Sequence, residues 1–271
     1  YLKAHYPVNF YAALLTNASG NQEKVNQILQ EAKIRGIDIL PPSIKKSGRH
    51  FKVENGKIRF SLSAVKGVPQ PLLKQLVELP KDQVHSIFDL AALLGGKLFN
   101  RKNIEPLVKA GALDDFGKDR AVLLATIDVA VKQAELMEQF SDGGVDLFGD
   151  NPYAFGKPKY VDANPIPQKE KLAFEKEVLG LYLSDHPLTE SRKQRELQLP
   201  LIQQFEKMRD ASYVKLIGQI EDMRVTRTKK GEQMAFVTVT DETGQLSLTF
   251  FPKEFAVSKS FLSHDTIIQV E

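Results

Sequence analysis

Two glycine-centred turns offer the clearest chemistry in this sequence. In Ser63-Ala64-Val65-Lys66-Gly67-Val68-Pro69-Gln70-Pro71-Leu72 a short helix runs into an apolar-Gly-apolar turn. A new helix then begins at Pro71, a favoured first-turn residue. The second unit is a helix over 101–110 with Ile104, Leu107 and Val108 inward, the turn Ala110-Gly111-Ala112-Leu113, and a long helix from about Asp119 to Gln139. Each unit has the layout of a helix-hairpin-helix. In that motif the turn presents backbone N–H groups where the dipole of the following helix favours a phosphate. Such a grip reads no bases, and two in tandem can hold backbone on both sides of a groove. The candidate phosphate-contact residues are Lys66, Gly67 and Val68 in the first turn and Lys109, Gly111 and Ala112 in the second. Arg101, Lys102 and Lys118 surround the second turn. Pro69 stands where many such hairpins carry a second Gly, and lacks the N–H that Gly would supply. The competing reading is an ordinary helical hairpin.

A second candidate site lies near the C-terminus. Val214, Leu216, Ile217 and Ile220 begin a strand expected to curl at Gly218. Lys229-Lys230-Gly231 is a turn, Ala235, Val237 and Val239 mark a second strand, Asp241-Glu242-Thr243-Gly244 a hairpin turn, and Leu246, Leu248 and Phe250 a third strand. A short helix over 254–262 and a strand over 266–270 follow. Three strands, a helix and a strand open an OB barrel; with no fifth strand in the sequence, the barrel is expected to be incomplete. Arg224, Arg227, Lys229 and Lys230 are candidates for phosphates of a single strand, and Phe236, Phe250 and Phe251 for base stacking. Alternation along barrel strands argues instead that at least two of these three phenylalanines are core.

A third candidate is a short apolar pair. The polar, Gly- and Pro-rich stretch over 141–168 contains Gly144-Val145-Asp146-Leu147-Phe148. Leu147 and Phe148 have no obvious core to join. They are either an anchor for another protein's groove or a staple onto their own domain.

Other chemistry is scarce. The chain has no Cys, hence no disulfide and no thiolate, as suits the cytosol. His5, His50, His85, His186 and His264 are far apart and show no metal spacing. No run of eighteen apolar residues marks a membrane span, and no signal peptide opens the sequence. The net charge of +3 is too mild to decide for or against nucleic acid, so the distribution of charge must decide. The absence of an initial Met suggests a piece of something longer.

The elements that must position these groups are mostly helical. A short helix follows Pro7, and a second, capped by Asn21, places Val25, Ile28, Leu29 and Ala32 on one face and stops at Gly36. A brief strand over 37–40 ends at Pro41-Pro42. A hairpin follows, with Phe51 and Val53 on one arm, a type I′ turn at Asn55-Gly56, and Ile58, Phe60 and Leu62 on the other. Lys45, Lys46, Arg49, Lys52, Lys57 and Arg59 surround it as either a solvated face or a phosphate-facing patch. Beyond the linker, 169–183 is an amphipathic helix with Leu172, Phe174, Val178, Leu179, Leu181 and Leu183 on its apolar face. The fold class is therefore α+β and multidomain, enough chain for two or three domains.

Taken in order, these parts resemble the C-terminal part of the alpha subunits of DNA polymerase III, the family C replicative polymerases of bacteria. The resemblance rests on Tyr1-Leu2-Lys3-Ala4-His5-Tyr6-Pro7, Ala12-Ala13-Leu14-Leu15 and Gly36-Ile37-Asp38-Ile39-Leu40-Pro41-Pro42, which are similar to the fingers region. It continues through Ile58-Arg59-Phe60, Ala64-Val65-Lys66-Gly67-Val68, Leu107-Val108-Lys109-Ala110-Gly111-Ala112-Leu113-Asp114 and Glu177-Val178-Leu179-Gly180-Leu181-Tyr182-Leu183-Ser184-Asp185-His186-Pro187-Leu188. It implies the end of the helical fingers with a β-hairpin (1–62), tandem helix-hairpin-helix units (63–140), a linker with a clamp-binding motif (141–168), connecting helices (169–212) and an OB-fold truncated before its last strand (213–271).

The resemblance also implies partners. The hairpins would hold primer-template duplex, the barrel single-stranded template, and Val145, Asp146, Leu147 and Phe148 a sliding clamp, beside other replisome subunits. Gly144 replaces the Gln that usually opens the clamp motif, which removes an amide and should weaken docking. The family's chemistry uses two Mg²⁺ ions on clustered aspartates. Asp114-Asp115 at a hairpin, and Asp146 and Asp150 in the linker, form no such cluster. The palm is expected before Tyr1, no catalytic or metal-binding residue is expected here, and the fragment should be inactive alone. A cytoplasmic, nucleoid-associated protein follows. The competing readings are a free-standing repair or recombination module of the same parts, and an RNA-binding OB module of the anticodon-binding type.

Overall fold

The computed structural model describes residues 1–142, 158–194, 199–205 and 213–271. The clamp-like motif and its flanks, 143–157, lie outside the described residues. Two compact units are found: Tyr1–Ala32 with Gly36–Ser184, and Asp185–Glu271 with Lys33–Arg35.

In the first unit α1 (Leu2–His5) and α2 (Pro7–Asn17) open the chain, with Pro at a first-turn position of α2. Asn21 caps α3 (Gln22–Ile34) by accepting from the Lys24 N–H at 3.0 Å. Gly36, at φ +75°, then turns the chain. Strands β1 (Ile39–Leu40), β2 (Lys52–Glu54) and β3 (Lys57–Arg59) form a small sheet in the order β1-β3-β2. The hairpin register Val53↔Ile58 and the positive φ of Asn55 and Gly56 bear out the type I′ turn. Phe51, Ile58 and Phe60 are buried with Tyr11, Leu15, Leu29, Val178 and Leu179 in one core.

A second core joins α4 (Gln70–Glu78), α5 (Ile87–Leu98), α6 (Arg101–Lys109) and α7 (Arg120–Asp142). Leu72, Leu73, Leu76, Leu90, Ile104, Leu107, Leu123 and Ile127 fill it. Helix α5 has no counterpart in the sequence reading. Its start is marked locally, because Ser86 accepts from the Asp89 N–H while Asp89 accepts from the Ser86 hydroxyl and the His85 N–H. Helix α8 (Gln168–Leu179) ends four residues earlier than expected. Gly180, left-handed at φ +79°, ends it, so Leu181 and Leu183 pack from the strap that follows.

In the second unit α9 (Pro187–Gln194) and α10 (Ile202–Phe205) precede an antiparallel sheet of β4 (Leu216–Arg227), β5 (Gln233–Thr240), β6 (Gln245–Phe250) and β7 (Ile267–Val270). Helix α11 (Pro252–Ser258) stands between β6 and β7 in sequence. The sheet order β6-β5-β4-β7 makes β4 central, paired with both β5 and β7. Leu216–Ile220 is nevertheless buried at every position instead of alternating: Leu216 and Ile220 lie in the core, while Gln219, on the opposite face, donates to Asp265 O at 3.3 Å. The irregularity in β4 falls between Ile220 and Asp222, not at the expected Gly218. A Cβ on Gly218 would meet Val239 Cβ at 2.9 Å, so this glycine serves close strand approach.

Candidate nucleic-acid interface

The first hairpin departs from its sequence reading. The expected helix before Gly67 is only a 3₁₀ turn, Leu62–Ala64. Gly67 itself is exposed, at φ +91°, with the Pro106 ring standing where a Cβ would point. Lys66 is exposed, but its N–H donates to Val178 O at 2.8 Å. Val68 is half-buried and packs against both cores. Helix α4 starts from Pro69, and its first internal bond is the Leu73 N–H to Pro69 O. Because Pro71 has no N–H and Leu72 is buried, the first turn of α4 offers the amide of Gln70.

The second turn is closed on itself. The Gly111 N–H donates to Val108 O and the Ala112 N–H to Leu107 O, each at 2.9 Å. With Gly111 left-handed at φ +79°, this is a Schellman cap on α6. A 3₁₀ turn, Asp114–Phe116, and Gly117 then separate the cap from α7. Gly111 and Ala112 are buried, so the expectation that they present donors to a phosphate is corrected: both amides are engaged inside the cap. Arg120, also buried, lies across the turn. It donates to Asp114 Oδ1 at 3.2 Å, Asp114 Oδ2 at 2.9 Å and Lys109 O at 3.1 Å.

Lys109 is likewise occupied. Its Nζ is 2.9 Å from Glu177 Oε1, 3.1 Å from Glu105 Oε1 and 5.2 Å from the centre of the Phe174 ring. Burial alone would lower its pKa, but the bonds to Glu177 and Glu105 outweigh that and raise it. Arg101 is bound to Asp128, and Lys118 lies over the Tyr160 ring. Lys66, in contrast, is left without a carboxylate among the described residues.

Arg120 and Glu175 were invisible as site residues in the sequence. Glu175 is buried and accepts from the Leu183 and Ser184 N–H groups, each at 2.9 Å, and from the Ser184 hydroxyl. It also lies 3.6 Å from Arg120 Nη1. Its bonds to Leu183 and Ser184 fix the strap after Gly180. A carboxylate on an otherwise apolar helix face was the one sequence signal for it.

The basic cluster around the hairpin divides in two. Arg59 is buried and bidentate on Glu54, at 2.9 and 2.7 Å, and Lys57 pairs with Asp38. Lys45, Lys46, Arg49 and Lys52 make no ion pair among the described residues, and all but the half-buried Lys45 are exposed.

On the OB sheet the register puts Arg224 directly opposite Phe236, and Phe236 opposite Thr249. Alternation turns Ala235, Val237 and Val239 into the core, so Phe236 faces outward, 42% exposed. Phe251 is 60% exposed, whereas Phe250 packs against the core. Only one of the three phenylalanines is therefore a core residue, against the expected two. As a stacking candidate Phe250 is corrected to a partly buried packing residue. Arg224, Lys229 and Lys230 are exposed, as is Arg227. The two lysines sit in a tight turn closed by the Gly231 N–H on Thr228 O, at 2.9 Å. A basic turn beside an outward aromatic-arginine pair is the chemistry that holds a single strand.

Among the described residues no group of three or more His, Asp or Glu side chains is arranged to hold a metal. Asp114 is bound to Arg120, and Asp115 accepts from the Ser43 hydroxyl. This donor set does not fit a magnesium pair. No described helix is long and apolar enough to cross a membrane.

Comparison with known proteins agrees with this layout. A helix-hairpin-helix motif model matches residues 36–123, and an OB-fold nucleic acid binding domain model matches 214–271. The chain is 44% identical to DNA polymerase III subunit alpha of Bacillus subtilis (strain 168) over 259 residues, which is 94% of this chain and 23% of that protein. The same subunit of Thermus aquaticus is 36% identical over 94% of this chain and 21% of its own length. That of Pseudomonas aeruginosa is 32% identical over all of this chain and 25% of its own. The chain thus spans about a quarter of the length of these curated relatives. Over nearly its whole length it corresponds to the C-terminal part of DNA polymerase III subunit alpha.

Proposed function

We propose that this chain is the DNA-holding and clamp-docking portion of a replicative DNA polymerase. The helix-hairpin-helix region holds the duplex backbone, and the OB sheet holds single-stranded template through Arg224, Arg227, Lys229, Lys230 and Phe236. The linker docks on a sliding clamp through Val145, Asp146, Leu147 and Phe148. The working segments are 1–62, 63–140, 141–168, 169–212 and 213–271. Its partners are primer-template DNA, the clamp and other replisome subunits, in a cytoplasmic, nucleoid-associated assembly.

One observation carries the reading of the geometry: Arg224 stands across from the outward-facing Phe236, on the strands that lead into the Lys229-Lys230 turn. Clamp and DNA contacts on one chain reinforce each other through effective concentration. Templated synthesis with Mg²⁺ belongs to the complete polymerase, and this chain alone is inactive. Nucleotide incorporation by the 271 residues would refute that.

The test of clamp docking compares the chain with its Leu147→Ala, Phe148→Ala variant for binding to a bacterial sliding clamp. Binding that is lost in the variant supports docking. Equal binding by both forms, or none by either, refutes it. A lower melting temperature in the variant would then identify the pair as a local staple.

A further inference from the structure

The loop from Ser43 to Arg49 is built as a rigid platform. Ser43 Oγ accepts from the Lys45 and Lys46 N–H groups, at 3.2 and 3.0 Å, and donates to Asp115. The Ser43 N–H donates to Ser47 Oγ at 3.0 Å, and Ser47 Oγ donates to Phe60 O at 2.7 Å. Ile44 is a core residue; its N–H donates to Ala112 O at 2.9 Å and its carbonyl accepts from Lys81 Nζ at 2.8 Å. The Leu62 N–H donates to Gly48 O at 3.0 Å. With so many of its backbone and hydroxyl groups engaged internally, the loop offers chiefly the charges of Lys45, Lys46 and Arg49.

Those charges continue the surface of the first hairpin turn. Ser63 Oγ donates to Arg49 O at 2.7 Å, and Arg49 Nη2 donates to Gln70 Oε1 at 3.4 Å. Arg49 therefore reaches residues on both sides of Lys66-Gly67. Lys46 and Lys52 both stand near Glu54, whose carboxyl is held below the usual range first by its bond to Arg59 and further by these lysines. That acid is already taken by Arg59, so it does not neutralise the edge.

We propose that this loop is a second phosphate-backbone contact for duplex DNA, made by Lys45, Lys46 and Arg49 with Lys52 beside them, in place of the buried Gly111 turn. The inference rests on the duplex-holding reading above. A protein partner fits less well, because protein interfaces need apolar anchors at their centre. The one large apolar side chain of the loop, Ile44, points into the core. An array of cations with no apolar centre suits a polyanion, whose binding is driven by counterion release.

The experiment titrates the full chain against a labelled blunt DNA duplex over a series of salt concentrations. It compares wild type with Lys45→Ala/Lys46→Ala/Arg49→Ala, with the charge-preserving Lys45→Arg/Lys46→Arg/Arg49→Lys, and with Lys57→Ala, whose amine is already on Asp38. The slope of log affinity against log salt should become shallower by about 2–3 in the alanine variant, roughly one for each phosphate that is no longer neutralised. It should stay unchanged in the other two. An unchanged slope in the alanine variant of a duplex-binding wild type overturns the loop's role and leaves duplex holding intact. So does an equal change in Lys57→Ala or in the charge-preserving variant. No duplex binding by wild type overturns duplex holding itself, and the loop's role with it.

Discussion

Gly111→Ala should destabilise the first unit more than Gly117→Ala or Gly67→Ala, and for a reason unrelated to DNA. An alanine would hold φ +79°, a left-handed conformation that costs an L-residue about 1–2 kcal/mol. Its Cβ would sit 2.3 Å from Arg120 Nη2 and 2.9 Å from Asp114 Oδ2. The end of a flexible side chain ordinarily moves aside at little cost. This one is buried and tied to Asp114 and Lys109 O, so moving it breaks a charge-assisted pair. Asp114 is 49% exposed, so the loss is well below that of a fully buried pair, about 1–2 kcal/mol. The sum is about 2–4 kcal/mol, a fall of about 1–2 M in urea midpoint for a slope near 2 kcal/mol/M. Gly117→Ala supplies the control: φ +65° with open space around the Cβ, so only the backbone cost of about 1–2 kcal/mol applies. Gly67→Ala, with Pro106 Cγ at 3.0 Å, should fall between the two. Urea unfolding followed by circular dichroism measures all three. Equal losses at Gly111 and Gly117 would refute the role given to Arg120. A Gly111 variant of normal stability that had lost duplex affinity would refute the closed cap and restore that turn as a phosphate site.

Other outcomes follow from the same geometry. Glu175→Ala strips the acceptor from the half-buried Leu183 amide, worth about 1–3 kcal/mol when left unmet, and from the amide of the exposed Ser184, which water can take up. Denaturation should show a loss of about 1–3 kcal/mol, with new protease cleavage near 183–184; unchanged stability would count against the strap. The Asp119 carboxyl would be raised by burial, but Lys171 and the Ala121 and Ile166 amides outweigh this and hold it below its usual value near 3.8. A depressed carboxylate contributes stability above its unfolded pKa, and the contribution fades as pH falls through the folded value. Melting of Asp119→Asn against wild type should therefore show a gap at neutral pH that closes below about pH 4, and a constant gap would sink the assignment. Phe236→Ala should weaken single-strand binding by about 1–3 kcal/mol with little change in melting, whereas Phe250→Ala should chiefly lower stability; the reverse pattern would invert the two roles.

Local signals carried most of the fold. Asn55-Gly56 announced its turn, Asn21 its cap, and the period-two residues of β5 their inward face, because each is decided by neighbours in sequence. The errors have long-range causes. Leu216–Ile220 loses its alternation because residues distant in sequence cover its second face, as where Gln219 donates to Asp265 O. The helix that ends at Leu179 reads through to Leu183 in sequence because both segments are apolar, and a left-handed Gly180 is what stops it. Phe236 and Phe250 obey the strand rule, outward and inward, and only Phe251 escapes it, because Phe251 caps a helix, where alternation no longer applies.

The site residues divide by the same logic. A motif states where a phosphate-binding turn belongs, but pairing decides whether its groups are available, and pairing is a property of the folded chain. Lys109 and Lys66 look alike in sequence, each standing one or two residues before a turn glycine. In the structure Lys109 has Glu105 and Glu177, one on its own helix and one on α8, while Lys66 has neither. The same division runs through the hairpin cluster, where Glu54 and Asp38 take Arg59 and Lys57 and leave Lys45, Lys46, Arg49 and Lys52. A cation that already holds a carboxylate must give it up to neutralise a phosphate, so the unpaired cations gain most from counterion release. Sorting the basic residues by partner therefore moves the expected duplex contact away from the Gly111 turn and onto the loop beside Gly67.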